Sequence, residues 1–223
     1  MDRVTDPEVV GGRQFSEYSL EPGAVGLMVV DLLYCDAWPD TPGDLRLRSE
    51  GIDTSYYNSR MVGTVVPAVA GLADTVRSTG GPVLWVKPEV MLDGGRDWAR
   101  GMRGPITSLG PCRPGERGYE LIHGLDADPA DYIVPKKGVS AFFGGNAGTI
   151  LRQCGVKHLL VTGCVTNYGV MVNVVDAANN NFEVTMVEDG CAAFSQAIHD
   201  ASLVLHPGMY AVSPSAEIIA SLS

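Results

Sequence analysis

The chain has 223 residues, a formal net charge of −10 and a pI near 4.7. A polyanion would need a lysine and arginine footprint that this sequence lacks, which excludes nucleic acid as a partner. A chain of this length buries enough apolar surface to fold as one domain without a disulfide or a metal.

Five cysteines, Cys35, Cys112, Cys154, Cys164 and Cys191, form no CxxC pair and are odd in number. They read as free thiols of a reducing compartment. The N-terminus has no apolar core of a secretory signal, and no apolar run reaches membrane-spanning length. The expectation is a cytoplasmic protein with no membrane partner.

Residues 1–22 are polar and irregular and read as an N-terminal arm. The first strand is expected at Val25–Asp31, an apolar run ended by a polar residue, as in strands buried on both faces. Leu32–Asn58 is broken by Pro39, Pro42, Gly43 and Gly51. Residues 59–78 carry Met61, Val65, Val69, Leu72 and Val76 at helical spacing, with Pro67 expected to kink or restart the helix. A second strand follows at Val83–Lys87. Residues 88–118 are rich in Gly, Pro and Arg without periodicity, and so long a stretch inside a domain points to function.

The next expected elements are a strand at Tyr132–Val134, a helix near Asn146–Cys154, a strand at His158–Gly163 and a helix at Asn167–Asn180. A strand at Phe182–Glu188, a helix at Ser195–Leu205, a strand at Met209–Val212 and a terminal helix close the chain. This alternation implies right-handed crossovers and a parallel sheet covered by helices on both faces. Ligands of such sheets sit beyond the carboxyl ends of the strands. Asp31, Lys87, Lys136 and the Gly163–Gly169 turn stand there.

Asp31 either caps a turn or needs a cationic partner, because a carboxylate at the end of a buried strand is costly alone. Lys136 and Lys137 offer that partner, or are solvated loop charges. A paired Asp and Lys, partly buried, can position a proton and activate a thiol or a water. The turn after Gly163 leads into a helix whose first amides converge on one spot, suited to an oxyanion. An ordinary strand–turn–helix connection would have the same spacing. G-x-G-x-x-G after the first strand and G-x-S-x-G are both missing, which removes a dinucleotide fold and a serine hydrolase elbow.

From about Val25 to Pro207 the chain resembles the isochorismatase-like (cysteine hydrolase) superfamily. The resemblance rests on Asp31, the IVPKKGVSAFFGG segment, the VTG-x-x-TN-x-x-V turn, Asp176-Ala177, and VEDGCAAF before His199. It implies a three-layer α/β/α, doubly wound fold with a six-stranded parallel sheet. It also implies an Asp–Lys–Cys triad in which Asp31 is the base and Lys136, four residues before Ser140, balances charge. Lys137 has the wrong offset. The nucleophile position, six residues after Gly163, is Gly169. The amides of Val165 and Gly169 match the oxyanion hole.

Three readings follow. The chain is an amide, carbamoyl or ureido hydrolase whose cysteine has been replaced; or it cleaves a vinyl ether with Asp31 and water and needs no thiol; or it binds a small molecule without turnover. The TN-x-x-V and VEDGCAAF wording resembles the amide- and ureido-hydrolysing branch. Cys164 is a poor substitute nucleophile, since a cysteine in that turn is expected to point into packing.

Nicotinamidases of this superfamily hold a zinc-type ion through an Asp and two His, whereas residues 32–100 contain no histidine. No metal and no cofactor are expected. Arg96 is the candidate anchor for a substrate carboxylate or carbonyl, and Trp98, Phe142 and Tyr168 are candidate pocket walls. The resemblance also implies a homo-oligomer, a dimer or tetramer, with 88–118 as a candidate contact.

Overall fold

The computed structural model describes residues 18–110 and 112–223; most of the expected N-terminal arm lies outside them. Six parallel strands form one sheet: β1 (Val25–Val30), β2 (Val83–Pro88), β3 (Tyr132–Lys136), β4 (His158–Cys164), β5 (Glu183–Ala192) and β6 (Ala211–Ser213). Their order is β3-β2-β1-β4-β5-β6. The chain winds outward from β1 to β3, then crosses back to start β4 on the other side of β1. The β1/β4 boundary is therefore the topological switch point, and its carboxyl end is where a doubly wound sheet opens a crevice.

Helices α1 (Pro42–Ser49), α2 (Ser55–Arg60) and α3 (Val66–Ser78) lie between β1 and β2, and α4 (Arg103–Thr107) lies between β2 and β3. Then come α5 (Ala147–Gln153), α6 (Met171–Asn179), α7 (Gln196–Leu203) and α8 (Ser215–Leu222). Strand side chains alternate between faces. Val25, Leu27 and Val29 pack under α3 and α8, while Met28 and Val30 pack with α5, α6 and Leu203 of α7. The inner strands β1, β2 and β4 are thus buried on both faces, which is why they read as largely apolar runs.

The stripe Met61, Val65, Val69, Leu72 and Val76 is fully buried, as its spacing predicts. Pro67 ends no helix. A π turn at Met61–Val65 joins α2 to α3, with the Val66 N–H reaching the Met61 carbonyl. This wider turn precedes the residue that cannot donate. Within Leu32–Asn58, α1 was not expected, yet Thr41 caps it through Oγ1 and Pro42 occupies its first turn. Strand β5 runs on to Ala192, four residues past its expected end, with a register shift against β4 between Val161 and Gly163.

No helix among the described residues is long and apolar enough to cross a membrane.

Candidate active site

Asp31 leaves β1 with φ 59°, a left-handed conformation that Asp tolerates better than most residues. That turn carries the chain out of the sheet and directs the carboxylate across the switch point. Beside it, Gly163 has φ 121°, and a Cβ there would stand 2.0 Å from the Val30 carbonyl oxygen. Only glycine lets β4 approach β1 so closely at this end. The Cys164–Val165 peptide that follows is cis.

Lys136 ends β3 and reaches past β2 to Asp31. Its Nζ donates to Asp31 Oδ2 at 2.6 Å and to the Val139 carbonyl at 3.0 Å. Both residues are buried, Asp31 being 6% and Lys136 3% exposed. Burial is the larger influence on Asp31 and raises its carboxyl above the usual range, with the Lys136 ammonium working against it. The other carboxylate oxygen, Oδ1, is buried without a hydrogen-bond partner among the described residues.

Lys137 faces the opposite way, as successive residues at a strand end do. Its ammonium bonds Glu89 at 3.0 Å and Asp97 at 2.9 Å. Although burial opposes it, this contact and the amides of Met91 and Leu92 hold the Asp97 carboxyl well below the usual range. Lys137 thus pins the segment between β2 and β3 over the end of the sheet, and Lys136 serves the interior.

After β4, a π turn at Thr166–Val170 opens α6. Gly169 lies in it, facing Asp31. A Cβ built on Gly169 would stand 3.2 Å from Asp31 Oδ2 and 2.8 Å from the Cys164 carbonyl oxygen. The position is next to the carboxylate, and the turn is closed down to the size of a glycine.

Two buried side chains hold this turn. Asn173 takes the Ala141 N–H on Oδ1 at 2.9 Å and gives Nδ2 to the Gly169 carbonyl at 2.7 Å and the Val139 carbonyl at 3.3 Å. His199 meets Thr166 Oγ1 through Nδ1 at 3.0 Å and Arg60 through Nε2 at 2.9 Å. Burial, then the Arg60 charge, lowers His199 to about 4, so it is a neutral bracing group.

A cavity of about 240 Å³ opens on Asp31, Lys136 and Gly169. Trp98, Ile106 and Leu109 wall it from the segment between β2 and β3, and Arg46 and Leu47 of α1 wall it from another side. Tyr168 closes the mouth, its hydroxyl donating to Met102 Sδ at 2.9 Å. A second acid, Asp36, also faces the cavity and makes no side-chain hydrogen bond to a described residue. Burial, reinforced by the Asp31 charge and opposed by Lys136, raises it to about 7.

The isochorismatase domain model matches residues 52–212. The chain belongs to the isochorismatase family. Among relatives of this family, a probable inactive nicotinamidase of Arabidopsis thaliana is 32% identical over 63% of this chain and 74% of its own length. A ureidoacrylate amidohydrolase of Methylobacterium radiotolerans is 25% identical over 83% of this chain and 74% of its own. Some other curated relatives match over shorter stretches, one over 28% of its length. The crystal structure of a cysteine hydrolase from Pseudomonas syringae pv. phaseolicola 1448A superposes with a TM-score of 0.77 at 20% identity, covering 95% of this chain and 98% of that one. At that identity it speaks for the isochorismatase-like fold alone.

Within this isochorismatase-family site, Asp31, Lys136, Val165, Gly169, Trp98 and Tyr168 surround one cavity. Two expected residues do not. Arg96 is exposed and outside it. The 3-10 turn Asp93–Gly95, with Gly94 and Gly95 both at positive φ, leaves Arg96 outward and brings Asp97 and Trp98 in. Phe142 packs behind the sheet, its ring 6.2 Å from that of Phe182, in the core cluster of α5 and α6. The arginine of the cavity is Arg46, which also pairs with Glu50 at 2.8 Å. The signal for it was Thr41-Pro42, a helix start that would have placed Arg46 on a helix face.

Cys164 lines the cavity but is 1% exposed, with Sγ on the Asp31 carbonyl at 3.2 Å. Burial, with Asp36 and Asp31 nearby, pushes its thiol far up. It is not an available nucleophile. Among the described residues no three His, Cys, Asp or Glu cluster so as to hold a metal ion.

Proposed function

We propose that this family member hydrolyses a small molecule by proton transfer and direct attack of water, without a thioester, and that the bond it cleaves is a vinyl ether of the isochorismate type. The observation that supports this most is the contact at Gly169. The place beside Asp31 where a nucleophile would stand holds a glycine whose Cβ would already press on the Cys164 carbonyl at 2.8 Å.

The chemistry then falls to the two acids. With Lys136 donating to Oδ2, a protonated Asp31 carries its hydrogen on Oδ1, the unpartnered oxygen. Burial raises the Asp31 carboxyl, which favours the protonated form that a proton donor needs. Asp31 gives that proton to the methylene carbon of the enol ether, which leaves an oxocarbenium ion. Water adds to the cationic carbon as Asp36 takes the released proton. The hemiketal then collapses to the ketone. Its hydroxyl proton returns to Asp31, and Asp36 hands its own to the departing alcohol oxygen. Trp98, Ile106 and Leu109 exclude bulk water, and Arg46 at the rim suits an anionic substrate.

A second reading is hydrolysis of a C–N bond in an amide, carbamoyl or ureido compound, favoured by the similarity to the ureidoacrylate amidohydrolase over 83% of the chain. In a cysteine-bearing form, Asp31 would deprotonate the thiol at position 169, Lys136 would support the charge, and the amides of Val165 and residue 169 would hold the oxyanion.

Pyruvate release from isochorismate and ammonia release from ureidoacrylate, measured for the chain and for Gly169→Cys, separate the readings. The vinyl-ether reading expects pyruvate from the chain as it stands and a loss of that activity in Gly169→Cys. Ammonia release by Gly169→Cys, with no pyruvate from the unaltered chain, overturns the vinyl-ether reading and supports the second one. A rise in melting temperature with isochorismate but no product makes the protein a binder.

A further inference from the structure

Cys35 and Cys112 stand 77 residues apart in sequence with their Sγ atoms 3.0 Å apart. Cys35 lies in the loop between Asp31 and Asp36, and Cys112 in the segment that walls the cavity from above. Both are buried, at 2% and 1% exposure, in a small cluster with Leu33 that is separate from the two main cores. Cys112 donates its S–H to the Pro88 carbonyl at 3.1 Å, which leaves Cys35 to donate to Cys112. Their backbones are fixed as well. The Cys35 N–H bonds the Gly118 carbonyl at 3.1 Å, and the Cys112 carbonyl takes the Val90 N–H at 3.0 Å. The hydrolytic chemistry uses neither sulfur.

We propose that Cys35 and Cys112 are an oxidation site, forming an intramolecular disulfide with a low-molecular-weight disulfide as oxidant and so clasping the cavity's cover to the loop that carries Asp31 and Asp36. The sulfurs need to close from 3.0 Å to roughly 2 Å, a movement within side-chain rotation. One cysteine loses its proton and attacks a sulfur of the oxidant RSSR, expelling RS⁻, which takes up that proton. The second cysteine loses its own proton and attacks the protein sulfur of the mixed disulfide, expelling the other RS⁻. Two S–H bonds are replaced by one S–S bond, and the oxidant is reduced to two thiols.

The contact with Cys112, then burial, pushes the Cys35 thiol far above its ordinary value, so it is protonated while the two loops are together. Attack therefore takes place when the loops part, and the bond holds them closed once made. Cys154 is partly exposed, its Sγ donating to the Tyr132 hydroxyl at 3.5 Å, and takes a mixed adduct instead.

The test uses the reduced full chain, incubated folded with oxidised glutathione, quenched in acid, then denatured, alkylated and mapped by mass spectrometry. The expected result is one linked peptide joining Cys35 to Cys112, two hydrogens lighter than its parts, with glutathione on Cys154. The oxidised protein should melt roughly 5–15 °C higher than the reduced one, and Cys35→Ser should lose both the link and the rise. Full alkylation of Cys35 and Cys112 in a sample whose Cys154 carries glutathione overturns the proposal. So do separate glutathione adducts on the two cysteines, or a link to any other cysteine. The mapping needs only the unaltered chain and no substrate, so it stands whether or not the proposed hydrolysis does.

Discussion

Asp31 and Asp36 follow the same strand end, yet among the described residues only Asp31 has a cation within hydrogen-bond reach. Both are raised by burial, and the Asp31 charge adds to the cost of ionising Asp36. This is the arrangement that sets two carboxyls to different tasks in one site. Asp36 must be ionised to accept the proton of water and Asp31 protonated to give one, so kcat/KM should rise with pH through about 7 and fall again as Asp31 loses its proton. In Asp36→Asn the rising limb should vanish and the maximum fall by roughly 100-fold, with KM little changed; a pH profile of the variant that keeps its rising limb removes Asp36 from the reaction. Asp31 and Lys136 were legible in the sequence because strand ends are fixed places. Asp36, five residues into a loop, was not, and Arg96 misled because a loop arginine carries no sign of which way its turn faces.

The elements that build the site were read with uneven success, for physical reasons. Strands buried on both faces, such as β1, β2 and β4, announce themselves as apolar runs, and the partly exposed edge strands β3 and β6 were found with them from the alternation. The π turns at Met61–Val65 and Thr166–Val170 left no trace, since one extra residue in a turn barely disturbs a helical pattern. The second of them presents Gly169, and Asn173, one turn on, ties its carbonyl to the loop that also receives Lys136. Asn173→Ala takes the side-chain partner from the Gly169 carbonyl and the Ala141 amide in the core, while the Val139 carbonyl keeps Lys136. Urea unfolding should show a loss of roughly 2–3 kcal/mol, and a loss under about 0.5 kcal/mol would mean that other groups hold the turn.

Seen whole, the molecule is a doubly wound sheet whose switch point is used in the ordinary way, with the cavity at the carboxyl end between β1 and β4. The alternation of strands and helices carried that much. What no periodicity carried was the cover. Residues 88–118 look like an irregular surface loop and were expected to serve as a candidate subunit contact. Their apolar members Val90, Trp98 and Ile106 form a small core of their own over the cavity, pinned by Lys137. The fold therefore spends its longest irregular segment on keeping water out, which suits a reaction through a cation that water must reach in a controlled way.

The most direct test of that account is the rate of pyruvate release from isochorismate before and after exhaustive alkylation of the accessible thiols, with Asp31→Asn measured beside it. An unchanged rate after alkylation, and a fall of at least roughly 100-fold in Asp31→Asn, is the result predicted for acid-driven hydrolysis by water. Turnover abolished by alkylation, or retained in Asp31→Asn, would contradict it.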